Sequence, residues 1–407
     1  MNGNSIYPAR NRSKRLFSEQ DISLDAFKKL CSQETSSETY PLASSIEKNV
    51  PIYDLSKYAL NTSASTISEL QDEWYEILST GPGVLILKGM YDVSIYGDVL
   101  DSTTSTFQRI IDHERLSPGV KKGDHFANSG ANDRIWNSFS KHALADPESF
   151  VKYYDNPWLA HICEAWLGPA YRVTAQVNIV KPGGAPQQSH RDYHLGFQSG
   201  ESCSRYPQNI QVASQLLTLQ GAVAHTDMPF DSGPTRLLPF SQQFEPGFLA
   251  YRLPEFQAYF LSQWVTVSLN RGDGVFFNPA LFHAAGENKT TDINRTANLL
   301  QISSAFGKPM ESINTIPIVA RCWDLLAAKY KDDGGLSLSL TYLIQTIADG
   351  YPFPTDLDHR PPAPSGMAPE SEQEIIIRGL KDHWTRDQVV SELQTMKAGW
   401  EYPPLTG

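Results

Sequence analysis

Between residues 171 and 304 short apolar stretches recur, each closed by turn-forming residues, and this rhythm limits the fold more than any other feature of the chain. The predicted strands are Tyr171 to Val180, Gln187 to His194, Ile210 to Ala213, Leu216 to His225, Thr235 to Pro239, Val265 to Leu269, Val275 to Phe277 and Asn294 to Ser303. Eight strands of this kind suggest two packed antiparallel sheets, as in a jelly roll or cupin barrel, with a closed end and an open mouth suited to a ligand. The expected class is mainly β with flanking helices (α+β), a double-stranded β-helix core with helical N- and C-terminal additions.

The flanks read differently. Residues 1–50 are rich in Ser, Asn, Glu and Lys and are expected to be a partly ordered lead-in. Val50 to Leu55 suits a short edge strand, and Thr66 with Glu69 has capping-box spacing ahead of a helix whose Ile67, Leu70, Trp74, Ile77 and Leu78 share one face. Gly81-Pro82-Gly83 ends that helix, and Val84 to Leu87 reads as a buried strand. Helices are predicted over about 92–113 and 147–167. Between them, residues 115–138 are irregular and polar, with His125, Asn128, Asn132, Arg134, Trp136 and Asn137; this is either a loop bordering a site or a surface loop anchored by Trp136. Beyond 305 the pattern is helical over Ile318 to Lys331 and Leu336 to Ala348. A Pro-rich stretch, Tyr351 to Pro369, then precedes two helices started by Ser371 with Glu374 and Thr385 with Gln388. The expected organisation is a lead-in (1–50), a barrel domain with N-terminal helices (51–305) and a helical extension packed on the same domain (306–407). That extension could also serve as a homodimer contact or lid.

Composition narrows the partners. A net charge of −11 argues against a broad nucleic-acid surface, which needs clustered Lys and Arg; the basic run Arg10 to Arg15 reads as a solvated tail. No apolar run approaches membrane-spanning length, and the N-terminus lacks the hydrophobic segment of a secretory leader. Cys31, Cys163, Cys203 and Cys322 are scattered without metal-type spacing, which suits reduced thiols and a cytoplasmic protein.

Within the predicted strand 187–194, alternation projects His190 and Asp192 from one face. With His283 they would form two histidines and one carboxylate, a set suited to non-haem Fe(II) because it leaves coordination positions open. Arg295 follows by 12 residues, enough to round a turn and return along the next strand, where a guanidinium could grip a carboxylate through two parallel hydrogen bonds. A rival pair, His225 and Asp227, is disfavoured by strand order, since too few strands separate it from His283. His194 could be a fourth ligand, a substrate contact or a core histidine. Gln176 and Asn178 share one face of a strand and could contact cosubstrate or substrate, or be ordinary strand residues.

The motifs Gln188 to His194, Gly233-Pro234-Thr235, Gly272-Asp273-Gly274 leading to His283, and Arg295 resemble the phytanoyl-CoA dioxygenase-like branch of the Fe(II)/2-oxoglutarate oxygenases over roughly residues 70 to 305. The resemblance implies catalysis at a metal centre of His190, Asp192 and His283, with 2-oxoglutarate and O2 as cosubstrates. It makes Arg295 the cosubstrate's carboxylate partner, and Thr235 a further cosubstrate contact. Related halogenases carry a small residue where Asp192 stands, so hydroxylation, desaturation or ring closure is expected instead. No basic cluster suits the phosphates of a CoA ester, which favours a small polar substrate, such as an amino acid or natural-product intermediate, with Arg134, Trp136, His194 or Arg236 as contacts. The other classes are a cupin-like Zn(II) hydrolase or isomerase, which would need neither Arg295 nor O2, and a non-catalytic barrel scaffold.

Overall fold

The computed structural model describes residues 14–58, 62–116, 132–352, 357 and 361–398. Residues 10–13 of the basic run, His125, Asn128 and the chain beyond 398 lie outside them, as does part of the Pro-rich stretch. Among the described residues ten strands form: β1 (Ser45–Glu47), β2 (Val50–Asp54), β3 (Val84–Lys88), β4 (Asn132–Ile135), β5 (Arg172–Val180), β6 (Thr218–Ala224), β7 (Arg236–Leu238), β8 (Gly274–Phe277), β9 (Phe282–Ala284) and β10 (Arg295–Ser303). Eight of them make one large sheet in the order β1-β2-β3-β8-β6-β10-β5-β4, antiparallel throughout except for β2 and β3. The facing layer is smaller. β7 and β9 pair, and single bridges add residue 190 beside His283 and residue 265 beside Leu237. The result is an α+β fold with a double-stranded β-helix core.

Alternation along the large sheet separates two environments. Leu85, Leu87, Val173, Ala175, Leu219, Val223, Phe276, Leu300 and Ile302 point outward into the main core. Helices cover that face: α2 (Ala64–Ser79), α3 (Val93–Leu116), α4 (Ser138–Ala145), α5 (Pro147–Tyr154) and α6 (Pro157–Leu167), joined by α11 (Thr315–Asp332), α12 (Leu338–Ile347), α13 (Glu372–Lys381) and α14 (Arg386–Ala398). Ile86, Ala222, Val275, Phe277 and Ala297 point the other way and meet Leu237, Val267 and Leu281 between the layers. On the far side of the small layer, α1 (Leu24–Cys31) and α10 (Pro254–Gln263) enclose Phe27, which is fully buried with its ring 4.8 Å from that of Phe282. Residues inside the stretch read as a lead-in are therefore part of the core.

Five predicted elements are corrected. Val265 to Leu269 is not a continuous strand but carries single bridges, Val265 to Leu237 and Leu269 to Met228. Ile210 to Ala213 is not a strand but lies in helix α8 (Gln208–Leu216), which Pro207 precedes and whose Gln211 side chain bonds back to Cys203 and Tyr206 carbonyls. Short helices α7 (Gly200–Ser204) and α9 (Gly247–Ala250) were also unanticipated. Residues 132–135 of the predicted irregular stretch form β4, paired antiparallel with β5, because their backbone completes the sheet edge. The helix at 64 is capped by Ser63 accepting from the Thr66 amide at 3.2 Å, not by Thr66. Gln187 to His194 is no continuous strand: it carries one bridge, and positive φ at Tyr193 (61°) and His194 (35°) ends the alternation.

Candidate active site

The backbone builds the site before any side chain does. The His190 amide donates to the His283 carbonyl at 2.9 Å and the His283 amide returns a bond at 3.2 Å, which sets the two residues opposite each other across the small layer. Their rings lie 4.4 Å apart. The Asp192 amide donates to the Pro279 carbonyl at 3.0 Å, two residues out of the register set at His190 and His283, and so ties the segment to the chain ahead of β9 beside the two imidazoles. His190 Nε2 is 3.7 Å from Asp192 Oδ1 and His283 Nε2 is 3.6 Å from Asp192 Oδ2. One donor atom from each residue falls within 4.8 Å of the others.

Each imidazole is oriented by its own chain. Nδ1 of His190 lies 2.9 Å from the Gln188 carbonyl and Nδ1 of His283 lies 2.8 Å from the Leu281 carbonyl. A carbonyl only accepts, so both Nδ1 atoms carry a hydrogen and both Nε2 atoms face Asp192; with Nε2 deprotonated the rings would present their lone pairs there. That is the tautomer a metal ion requires. Burial pushes the Asp192 carboxyl up, but the facing imidazoles of His190 and His283 and an N–H from Gln220 outweigh it and hold the group below the usual carboxylate range. Gln220 also reaches Gln301 Oε1 at 3.3 Å, which ties Asp192 to β6 and β10. The donor set therefore fits a divalent cation with one protein face and open positions opposite.

Beside this group a cavity runs between the layers, lined by Arg295, Asn178 and Thr235 at its polar end and by Met228, Leu237 and Val267 along its walls. Arg295 opens β10 opposite Val180, and Asn178 is level with Ala297 on the neighbouring strand. The Arg295 side chain is buried, and burial draws its pKa down to about 10. Among the described residues no carboxylate forms an ion pair with it. Thr235 follows Gly233, whose φ of 72° suits glycine and where a Cβ would sit 2.3 Å from the Glu287 carbonyl oxygen. The turn is thereby pressed against the chain beyond β9.

The remaining predicted residues separate. Gln176 does not line that cavity; its Oε1 accepts from Arg134 at 2.7 Å, and the Arg134 guanidinium lies 4.5 Å from the Trp136 ring centre. Arg236 lies away from the cavity: it donates to the Gln187 and Ala285 carbonyls and packs against Phe260 and Trp264. His194 stands outside the three-residue donor group, with Nδ1 3.4 Å from the Ser214 carbonyl, since the turn at Tyr193 removes it from the Asp192 face. His225 is buried between Thr104 Oγ1 (2.8 Å) and Tyr153 Oη (3.0 Å), and Asp227 accepts from the Arg271 amide. Sequence reasoning missed Gln220, Glu311, Tyr193 and Arg191. Gln220 was open to inference, since alternation places it inside on β6; the others depend on long-range packing.

Two histidines and a carboxylate whose donor atoms converge in a double-stranded β-helix form a group that could hold one metal ion, with a buried arginine lining a cavity between the same layers. The sequence comparisons agree. The profile of the phytanoyl-CoA dioxygenase (PhyH) family matches residues 79–297, and the chain belongs to that family. Among curated relatives, "Dioxygenase trt7" of Aspergillus terreus is 29% identical over 165 residues, covering 40% of this chain and 47% of the relative. "Uncharacterized protein YJR154W" of Saccharomyces cerevisiae is 24% identical over 182 residues, covering 45% of this chain and 47% of the relative. The chain thus spans about half the length of these two relatives. A solved structure of the 2-oxoglutarate-dependent epimerase SnoN from nogalamycin biosynthesis aligns with a TM-score of 0.39 at 18% identity, covering 60% of this chain and 84% of that one.

Proposed function

We infer that the protein couples oxidative decarboxylation of 2-oxoglutarate to oxidation of a small polar organic substrate, with hydroxylation, desaturation or ring closure of a natural-product intermediate as the outcome. The observation that carries this reading is the pairing, within one barrel, of the three-residue donor group with the buried, ion-pair-free cation Arg295. A lone buried charge is costly unless a counter-ion completes it, and a dicarboxylate cosubstrate supplies one. His190, Asp192 and His283 would hold Fe(II), and Arg295 with Thr235 and Asn178 would hold the distal carboxylate of 2-oxoglutarate. Bound there, the metal and cosubstrate supply the oxidising chemistry, releasing succinate and CO2. The chain's own part is to fix the imidazole tautomers through Gln188 and Leu281, to orient Asp192 through Gln220, and to keep the cavity walls apolar.

The test is succinate formation by iron-loaded protein, compared in two variants. His190→Ala should lose both metal and turnover, while His225→Ala should retain metal. Metal retained in the first and lost in the second would overturn the site assignment, and a zinc-loaded protein that turns over substrate without consuming 2-oxoglutarate would overturn the reaction class.

A further inference from the structure

Two glutamines on adjacent strands stand behind Asp192. Gln220 on β6 and Gln301 on β10 are direct partners in the antiparallel register, and both are buried. Gln220 Nε2 lies 2.5 Å from Asp192 Oδ2 and 3.3 Å from Gln301 Oε1, so its two hydrogens serve two acceptors. The opposite amide assignment would set Gln220 Oε1 against a carboxylate oxygen, and two acceptors repel. Gln220 therefore donates, and Gln301 keeps it turned that way. The carboxylate itself is placed almost symmetrically between the imidazoles: Oδ1 is 3.7 Å from His190 Nε2, and Oδ2 is 3.6 Å from His283 Nε2. Without a further contact, both oxygens would be equally available to an ion held by the two rings. Gln220 breaks that symmetry by engaging Oδ2 alone. The next cross-strand pair on the same face, Ala222 with Leu299, is apolar and has no such donor.

Resting on the oxygenase reading above, we propose that Gln220, backed by Gln301, is a positioning residue that restricts Asp192 to a single metal-binding oxygen. An octahedral ion held by two imidazoles and one carboxylate oxygen keeps three positions open, and a carboxylate gripping through both oxygens would take one of them. A 2-oxo acid bound through its carboxylate and ketone oxygens uses two. The N–H on Oδ2 thus preserves the position left for O2. A charge-assisted hydrogen bond to an ionised carboxylate is among the stronger ones, and inside a buried pair of strands no water competes for it. The glutamine pair is then part of the oxygen chemistry without touching the ion.

The experiment uses the full chain loaded with Mn(II), and reads the Mn(II) Kd together with water-proton relaxation, which reports exchangeable water on the ion. With 2-oxoglutarate added, the parent is expected to keep about one such water. Gln220→Met keeps the length of glutamine without its donor. Its 2-oxoglutarate complex should keep no water, so that relaxation falls to the level of protein without metal-bound water, while Mn(II) affinity stays within about threefold of the parent's. Gln220→Asn, one methylene short of Asp192, should lose the water too, so one variant decides if the other does not fold. A residue that merely supports the site predicts the reverse, Mn(II) bound about tenfold more weakly with the water retained. That pattern, a water retained in either folded variant, or a parent complex already without water would overturn the proposal. A parent whose relaxation does not change when 2-oxoglutarate is added would instead sink the oxygenase reading, so the two failures are distinguishable.

Discussion

Arg191 stands between two of the proposed ligands and points away from them. Its guanidinium donates to the carbonyls of Ser241 (2.7 Å) and Phe244 (2.9 Å) and lies 5.1 and 5.3 Å from the ring centres of Phe248 and Phe282. The 187–194 segment is held by backbone bonds at Gln187, His190 and Asp192, and this buried anchor adds a side-chain hold between the two proposed ligands. Arg191→Met should weaken metal binding about tenfold in a chelator competition, as loss of a group supporting metal ligands does. Gly247→Ala should do the same from the other side, since a Cβ there would lie 2.0 Å from the Arg191 guanidinium carbon. Unchanged metal affinity in both would show that the segment holds itself. For Arg295, replacement by Ala should raise the half-saturating 2-oxoglutarate concentration roughly 30-fold to 1000-fold, the equivalent of about 2–4 kcal/mol. Arg295→Lys should recover only part, because an ammonium lacks the planar fork. An alanine variant saturating like the parent would remove Arg295 from the cosubstrate site.

Among the elements, α3 and α5 are pinned to the end of β6 through His225, and α4 to α5 through His142, whose Nε2 is 2.7 Å from Ser149 Oγ. Burial draws both imidazoles down to a pKa of about 3, so each is neutral in the fold. In the unfolded chain a histidine titrates near about 6.5. Below that value the unfolded state binds more protons, so stability falls as pH drops from about 6.5 toward about 3, by up to roughly 1.4 kcal/mol per pH unit for each histidine. Above about 6.5 neither contributes a slope. His225→Gln should flatten the dependence by about one proton in urea unfolding between pH 7 and pH 4. A slope equal to the parent's would mean that His225 is charged in the fold. The elements misread from sequence have a common cause. Segment 208–216 and segment 132–135 are short, and short segments take the form their neighbours complete: a helix bonded back on α7, and an edge strand for β5.

Across the whole molecule, Ile376, Leu380, Val389 and Leu393 from the last two helices share one core with Trp323 on α11 and with Leu300 and Ile302 on the barrel. Leu393 is fully buried there. Leu393→Ala should cost about 2–5 kcal/mol, and loss of far-UV helicity and loss of tryptophan packing should shift together as one transition. Two separated transitions would make residues 306–407 an independent unit.

The strands at 172–180, 218–224, 236–238, 274–277 and 295–303, and the grouping of His190, Asp192 and His283, are legible in the sequence, because alternation and turn chemistry are local and because ligand chemistry admits few residue types. Gly233, Gly272 and the spacing from His283 to Arg295 mark turns that any chain with these residues must make. Tertiary structure alone decided the rest. Glu311 reaches Gln176 from beyond the last strand, Tyr193 is strained by packing that no local pattern records, and Arg236 is spent on carbonyls at 187 and 285. Burial and hydrogen-bond partners at long range set what those side chains do, and neither is a property of residues adjacent in the chain.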